Sequence, residues 1–519
     1  MKNLFNSVLL PQTQSNVFDM SYDNKLSFNM GELVPTHVME CVPGDKITMS
    51  NETLLRFSPL IAPVMHKVDV FTHYFFVPNR LVWSNWQDFI TNTKDPLTLP
   101  VAPYLSGFNV TAGSLADYMG LPLASGGVTI DKASAIPFAA YQMIYNEYYR
   151  DQNLVAANDF QLTDGAQTIA GSLTTLRKRA WQHDYFTSSL PFAQKGDAVT
   201  IPLIQGTSAL VTKNTSTNPG QWVYSDGASQ TAGTLVNGQL QGTGSPTSNA
   251  TATTASTPRN IAYNPNGTLK VDINNEAQTI NALRRAFSLQ SWLERNARGG
   301  TRYIENILAH FGVKSSDARL QRPEYLGGSK SPMVISEVLQ TSSTSEVTAQ
   351  GNMAGHGISV GQGNQFTYNV EEHGYIIGIT SVMPKTAYQQ GIPRTFSKFD
   401  PLDYYWPSFA NIGEQEVKNR EIYYTNDGQN DATFGYVPRY AEYKYNDCKV
   451  SGEFRTNLSY WHMGRIFSTR PALNANFVTA DPTRRAFAVN DPTVDTIYAH
   501  IYNNIKAVRK MPKYGIPTW

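Results

Sequence analysis

The stretch KVDVFTHYFFVP, Lys67 to Pro78, decides the reading of this chain. Val68, Val70, Thr72, Tyr74 and Phe76 fall on every second position, and β-branched and aromatic residues dominate the run. That is the signature of a β-strand with one apolar face. Directly after it, Asn79 to Thr91 changes period, with Leu81, Trp83, Trp86, Phe89 and Ile90 as apolar positions of a helical segment. Upstream, Thr36 to Met49 alternates in part around a turn at Pro43-Gly44-Asp45. Residues 1–36 are mixed and weakly periodic, and read as an extended arm.

Downstream, Asp95 to Gly127 is loop-rich, and Ile136 to Leu154 reads as a helix with Phe138, Tyr141, Ile144, Tyr145 and Tyr148 inward. Thr174 to Phe186 interleaves Arg177, Lys178 and Arg179 with Trp181, His183, Tyr185 and Phe186. Gly206 to Thr268 is a different material. Thr, Ser, Asn, Gly, Ala and Gln dominate it, and its charged residues are only Lys213, Asp226 and Arg259. Such a composition builds no large core of its own. Its Thr and Val content favours extended structure, so it reads as a surface excursion ordered against copies of itself.

Thr279 to Gly328 carries two helical patterns. The first, about Glu276 to Arg298, sets Ile280, Leu283, Phe287, Leu293 and Ala297 near one stripe and ends at Gly299-Gly300. The second starts at Thr301 as N-cap, repeats Ile304, Ile307, Leu308 and Phe311, and stops at Gly312. Arg284, Arg285, Arg295, Arg298, Arg302, Arg319 and Arg322 crowd this hairpin. They suit subunit contacts or nucleic acid, or a solvated face with ordinary ion pairs. Asp317 and Glu324 flank Arg319 and Arg322, as in an ion-pair network.

Glu337 to Gln365 reads as a second soft stretch; its Gly361-Gln362-Gly363 lacks the third glycine and the strand–helix setting of a dinucleotide site. Gly374 to Met383 is a short apolar run fit for a buried strand. Lys449 to His462 alternates Val450, Gly452 and Phe454 as a strand would. No regular βαβ alternation appears, which disfavours a doubly wound sheet. The expected fold is mainly β: an antiparallel eight-stranded jelly roll with large helical and loop insertions. Its parts are an arm (1–36), a first half of the core (37–205), a surface insertion (206–268), a helical hairpin (269–330), and a second half with a C-terminal arm (331–519).

Composition narrows function. A net charge of +1 gives no global basic field, so any nucleic-acid contact is local. Charged residues make 16 % of the chain and aromatic ones 12 %. Interface centres lose charge and gain rings, so this balance suits a protein covered by partners; it also suits a secreted polar β protein. Cys41 and Cys448 have no neighbours at metal-ligand spacing and read as two buried thiols, with a disulfide between them as the alternative that a reducing cytosol opposes. The N-terminal run is too short for a signal peptide and Pro11 interrupts it. No run reaches the roughly 20 apolar residues of a spanning helix. The expectation is a soluble protein made in the cytosol, without membrane insertion. P-loop, HExxH, CxxC and GxSxG patterns do not occur. The scattered histidines read as structural, and Asp400 and Asp403 in FDPLDYYWP read as packing. No catalytic, metal or cofactor residue is singled out, and no enzyme activity is expected.

WLERNARGGTRYIENILAHFGVKSSDARLQRPEYLGG (292–328) resembles the central segment of the major capsid proteins of small single-stranded DNA phages, the Microviridae, in their gokushovirus branch. HYFFVPNRLVWSNWQDFI (73–90), YNEYYRDQNL (145–154), EEHGYIIGITSV (371–382), DYYWPSFANIGEQ (403–415), FGYVPRYAEYKY (434–445) and MPKYGIPTW (511–519) are similar to the same family in the same order. The resemblance implies a jelly roll and a T=1 icosahedral shell of copies of this chain. The shell would enclose circular single-stranded DNA with a small internal DNA-binding protein. It would form in the host bacterial cytoplasm and meet the host receptor through protrusions of the variable insertion at the three-fold axes. Tyr404, Tyr405, Trp406 and Phe409 are candidate association surfaces. Candidate DNA contacts, read from local charge alone, are Arg177, Lys178, Arg179, Arg509 and Lys510. The C-terminal basic and aromatic residues, Lys506 to Trp519, suit single-stranded DNA or an arm docked on a neighbour. A carbohydrate-binding or carbohydrate-active β-sandwich is the alternative; a glycosidase would need two facing carboxylates, and no pair stands out.

Overall fold

The computed structural model describes residues 14–91, 99–123, 129–197, 199, 280–341, 350–489 and 491–514, with the backbone of six short strands between 207 and 273. Residues 1–195 with 294–519 form one compact unit and 196–293 a second.

The strand predicted from Lys67 to Pro78 spans Val68–Pro78 (β5). Four strands precede it: Asn16–Asp19 (β1), Tyr22–Phe28 (β2), Val34–Cys41 (β3) and Lys46–Phe57 (β4). After a long excursion come Glu324–Pro332 (β6), Val334–Leu339 (β7), Met353–Gln362 (β8), Phe366–Asn369 (β9), Gly374–Pro384 (β10) and finally Ile497–Arg509 (β11). They form two antiparallel sheets. One runs β6-β5-β10-β3; the other runs β1-β11-β4-β8-β7, with β2 also on β11 and β9 also on β4.

The alternation of β5 sorts its side chains into two cores. Val68 and Val70 meet Phe28, Leu55, Phe57, Val382 and Ile497 between the sheets. Tyr74 and Phe76 do the same with Met39, Ile47, Met49 and Ile505. The opposite face of a strand in an antiparallel sheet is often polar and wet. Instead Phe75 and Val77 pack on Trp83, Tyr141 and Ile144, because the excursion after β5 folds back over this face. The architecture is therefore a mainly β sandwich with a helical layer on one sheet.

That layer departs from prediction in detail. Asn79 to Thr91 breaks into Asn79–Val82 and Trp86–Thr91 around an extended Trp83. The helix Ile136–Ile144 (α1) continues as a π-turn, Tyr145–Tyr149, and stops short of Leu154, since the Asp151 carboxylate accepts from the backbone of Asn153 and Leu154. The hairpin helices are Ile280–Gly299 (α2) and Tyr303–Phe311 (α3). The predicted start at Glu276 lies outside the described residues. Thr301 is not the N-cap; its hydroxyl binds Asn153, and Arg302 takes that place with Glu305 closing on its N–H. Gly312, at φ 68°, ends α3 as predicted. The sheet already resumes at Glu324, inside the span assigned to the hairpin.

Four expectations are corrected. The supposed arm is in the sheet from Asn16 on, because β1 and β2 pair with β11. The supposed C-terminal arm is likewise β11 up to Arg509, a central strand whose Ile497, Ile501, Ile505 and Ala507 are buried. The soft stretch holds β7 and β8. Its glycines reflect close packing: a side chain at Gly357 would meet the Phe57 ring at 2.4 Å, and one at Gly361 the Thr53 hydroxyl at 2.7 Å. Lys449 to His462 forms short 3-10 turns at Gly452–Arg455 and Ser459–Trp461, since Gly452 takes φ 66° and breaks the extended run. Cys41 and Cys448 are free thiols; Cys41 is buried and Cys448 half-buried. In the second unit, Gln221–Ser225, Gln230–Val236, Gln239–Gly242 and Asn260–Asn264 make an antiparallel sheet, and Thr207–Leu210 pairs Lys270–Ile273. No described helix is long and apolar enough to cross a membrane.

Candidate assembly surface and basic sites

The five basic positions singled out from the sequence do not meet. The backbone of 177–181 is laced between Gly31–Leu33 and Val478–Ala480. This turns Arg177 inward: its Nε donates to Gln142 at 2.8 Å and its Nη2 to the Ser172 carbonyl at 3.0 Å. Arg179 lies 4.3 Å over the Phe71 ring and donates to Ser381 at 3.2 Å. Burial lowers the pKa of both guanidiniums. Lys178 points outward and pairs with Asp481 at 2.6 Å. Arg509 pairs with the buried Asp45 at 3.0 Å and donates to the Glu40 carbonyl. Lys510 is exposed. Glu40 faces Tyr375 on β10, six positions from Ser381, so the two clusters lie about 20 Å apart along one strand. Arg177 and Arg179 thus serve the fold, leaving Lys178 and Lys510 as the outward-facing cations of the set.

The hairpin arginines divide in the same way. Arg298 pairs with the buried Glu414. Arg302 pairs with Glu305 at 3.0 Å and donates to the Asn146 and Arg150 carbonyls. Arg322 pairs with Asp317 at 3.4 Å and covers the Tyr148 ring at 4.4 Å. Arg284, Arg285 and Arg295 are exposed. The apolar stripe of α3 is also uncovered within the chain, with Leu308 53 % and Phe311 75 % exposed.

A dense exposed apolar display lies between Arg394 and Ile412. Phe399 is 83 % exposed, Phe396 72 %, and Tyr404, Tyr405 and Trp406 about half; Phe409 is half-buried. The loop's carboxylates stay exposed and bond its own backbone. Asp403 accepts from the Phe399 and Asp400 backbone at 3.0 Å. Asp400 caps Leu402, and the Trp406 indole donates to the Pro401 carbonyl at 2.8 Å. Lys398 is buried beneath, 3.9 Å over the Tyr443 ring and 3.2 Å from Glu442. Arg394 holds Glu421 at 3.1 Å, and Tyr185 donates to the same carboxylate at 2.9 Å. Burial raises the pKa of Glu421 and pushes that of Asp447 up to about 7. Both line a cavity of about 130 Å³ under the loop with Tyr185, Tyr388, Arg394 and Glu442. A cluster of exposed rings on a hydrogen-bonded loop is the kind of surface that packs against protein. The sequence pointed to Tyr404, Tyr405 and Trp406. It gave no signal for Glu421 and Glu442, which reach Arg394 from well down the chain.

A sandwich that fixes outward-facing rings on a hydrogen-bonded platform defines a structural protein that associates with other protein. Comparison with known proteins makes that specific. The family described as capsid protein (F protein) matches residues 8–519. Capsid protein VP1 of Chlamydia phage 1 is 36 % identical, covering 100 % of this chain and 98 % of that protein. Capsid protein VP1 of Bdellovibrio phage phiMH2K is 36 % identical over 97 % of this chain and 95 % of its own. VP1 of Spiroplasma virus 4 is 33 % identical over 95 % and 93 %. The chain belongs to the phage capsid protein (F protein) family and is a major capsid protein of the gokushovirus-like Microviridae. Its role is structural, as an oligomeric shell subunit of a phage virion, and the carbohydrate-protein alternative gives way to it.

Proposed function

We propose that copies of this chain close into a T=1 icosahedral shell around a circular single-stranded DNA genome, assembled in the host bacterial cytoplasm. The frame is an eight-stranded jelly roll. Counting β1 with β2 as the first strand and β8 with β9 as the sixth, and leaving out β7, one sheet reads 1-8-3-6 and the other 2-7-4-5. That order supports two interleaved Greek keys. The insertion 206–268 forms the three-fold protrusion that meets the host receptor. Inside, Lys510 gives local positive charge to the DNA beside a small internal DNA-binding protein, while Lys178 is balanced by Asp481.

The ring-bearing loop from Arg394 to Ile412 carries the reading, with Phe399 83 % exposed as its clearest member. Burying such a ring against a neighbouring copy contributes about 1.5–3 kcal/mol per contact. Electron microscopy of the purified protein should show uniform small shells, and Phe399→Asp should raise the assembly threshold at least tenfold without lowering the melting temperature. Stable monomers at high concentration, or an unchanged threshold in the variant, would overturn it. DNA retention by the shell should weaken as salt rises; retention independent of salt removes the basic interior.

A further inference from the structure

Helix α3 sets its polar side against the protein and its apolar side outward, the reverse of an ordinary surface helix. Asn306 donates to Oδ1 of the buried Asn296 on α2 at 2.8 Å, and the His310 ring meets the same oxygen at 2.7 Å. At about 100° per residue, Leu308 and Phe311 fall on the side of α3 away from Asn306. Tyr303 and Val313 extend the exposed apolar display at its two ends. The Arg394 to Ile412 loop is a second such display. Both are uncovered among the described residues, so neither covers the other within one chain. Their exposed charges are opposite in sign. Along 301–322 they are Lys314 and Arg319; along 394–416 they are Asp400, Asp403 and Glu416. The backbone N–H groups of Asp400 and Phe399 lower the pKa of Asp403, so it stays ionised. A two-fold pairing of either surface with itself would set its charges against their own kind, and like charges opposed across a contact repel. Helix against loop instead sets basic beside acidic and apolar on apolar.

We propose that α3 of one copy docks on the Arg394 to Ile412 loop of the next copy, in a head-to-tail contact that repeats around a rotation axis of the shell. Around a three-fold or five-fold axis each subunit meets its neighbours through two unlike surfaces, and these two patches form such a pair. The contact rests on the reading of a closed shell and names two surfaces that meet in it.

The test follows assembly of the full-length protein by light scattering, with the melting temperature as the check on folding. Lys314→Glu combined with Arg319→Glu puts carboxylates on both sides of the contact, and should raise the assembly threshold about tenfold or more at an unchanged melting temperature. Glu416→Lys alone should raise it too. Adding Glu416→Lys to the helix-side pair should bring the threshold back towards that of the wild type. A second arm is independent of charge. Val313 and Ser408 are exposed, one on each surface, so the chain with both Val313→Cys and Ser408→Cys should form disulfide-linked oligomers on oxidation, and neither single variant should exceed the wild-type background. The charge rescue or the mixed disulfide sustains the pairing. Absence of both overturns it, and so does a disulfide between copies in either single variant, which marks a contact of like surfaces. Electron microscopy in parallel separates the two readings. Wild-type shells with neither rescue nor mixed disulfide sink the pairing and leave the shell, whereas a helix-to-loop disulfide in a protein that forms no closed shells keeps the pairing and sinks the shell.

Discussion

Replacing Asp447 by Asn should stabilise the protein, and more so as the pH rises. The carboxyl sits in the cavity under the apolar loop, where burial, then Asp184 and Glu421, push its pKa from 3.8 to about 7. Asp184 has its own donors, the Tyr388 hydroxyl at 2.7 Å and the backbone of Phe186 and Thr187. Asp447 has the Tyr185 N–H, while its Oδ1 is without a partner among the described residues. A raised carboxyl pKa favours the protonated folded form. Below pH 3.8 both states hold the proton and the group is neutral to stability. Between 3.8 and 7 the unfolded chain loses the proton first, so the wild type loses about 1.4 kcal/mol of stability per pH unit, roughly 4 kcal/mol in all. Asn keeps an acceptor for the Tyr185 N–H and carries no charge. Its advantage should therefore grow by about 2–3 kcal/mol between pH 5 and pH 8. With an unfolding entropy near 2.1 cal/mol/K per residue, that is about 2–3 °C in melting temperature for a chain of this length. Differential scanning of wild type and Asp447→Asn at several pH values reads it directly, since titrating groups not coupled to Asp447 cancel in the difference. Parallel melting curves at all pH values would refute the assignment of a buried, proton-holding carboxyl.

Two further outcomes test the layers. Phe75 is 1 % exposed, with its ring 4.6 Å from Tyr148 and 5.6 Å from Tyr325; Phe75→Ala should cost about 3–5 kcal/mol, seen as a lower melting temperature, whereas a ring facing solvent would cost almost nothing. His73 binds the Tyr149 hydroxyl at 2.8 Å, and burial holds its pKa down at about 4; the unfolded chain takes up the proton first, so stability is full above about pH 6.5 and falls by about 1.4 kcal/mol per unit down to pH 4. His73→Gln should flatten that acid limb in pH-dependent melting, and an unchanged limb would place the ring in contact with water.

Much of the sandwich was legible because period-two runs survive any insertion between them. Lys67 to Pro78 and Gly374 to Met383 became β5 and β10, paired along their whole length. The last strand was equally readable: Ile497, Ala499, Ile501, Asn503, Ile505 and Ala507 alternate without a break and are all buried. Charge and position drew attention to Lys506 and Arg509 instead, and the strand passed as an arm. In β8 the opposite error arose. Glycine marks flexibility in composition, yet Gly355, Gly357 and Gly361 sit where a side chain would strike Ala62, Phe57 and Thr53. The basic cluster at 177–179 misled for a related reason: charge is local in sequence, but its partners Gln142, Ser172 and Ser381 are not.

Assembly surfaces carry a deeper ambiguity. The repeat Ile304, Ile307, Leu308 and Phe311 predicts a helix with a buried stripe, and the helix is there. Yet Leu308 and Phe311 are more than half exposed within one chain. A hydrophobic period records only that water is to be excluded, and a neighbouring copy excludes it as well as the chain's own core. The Arg394 to Ile412 loop makes the distinction physical. Asp400 and Asp403 bond the loop's own backbone, and among the described residues its rings stay uncovered. In a shell subunit a neighbouring copy of the same chain offers apolar surface of the kind that covers such rings.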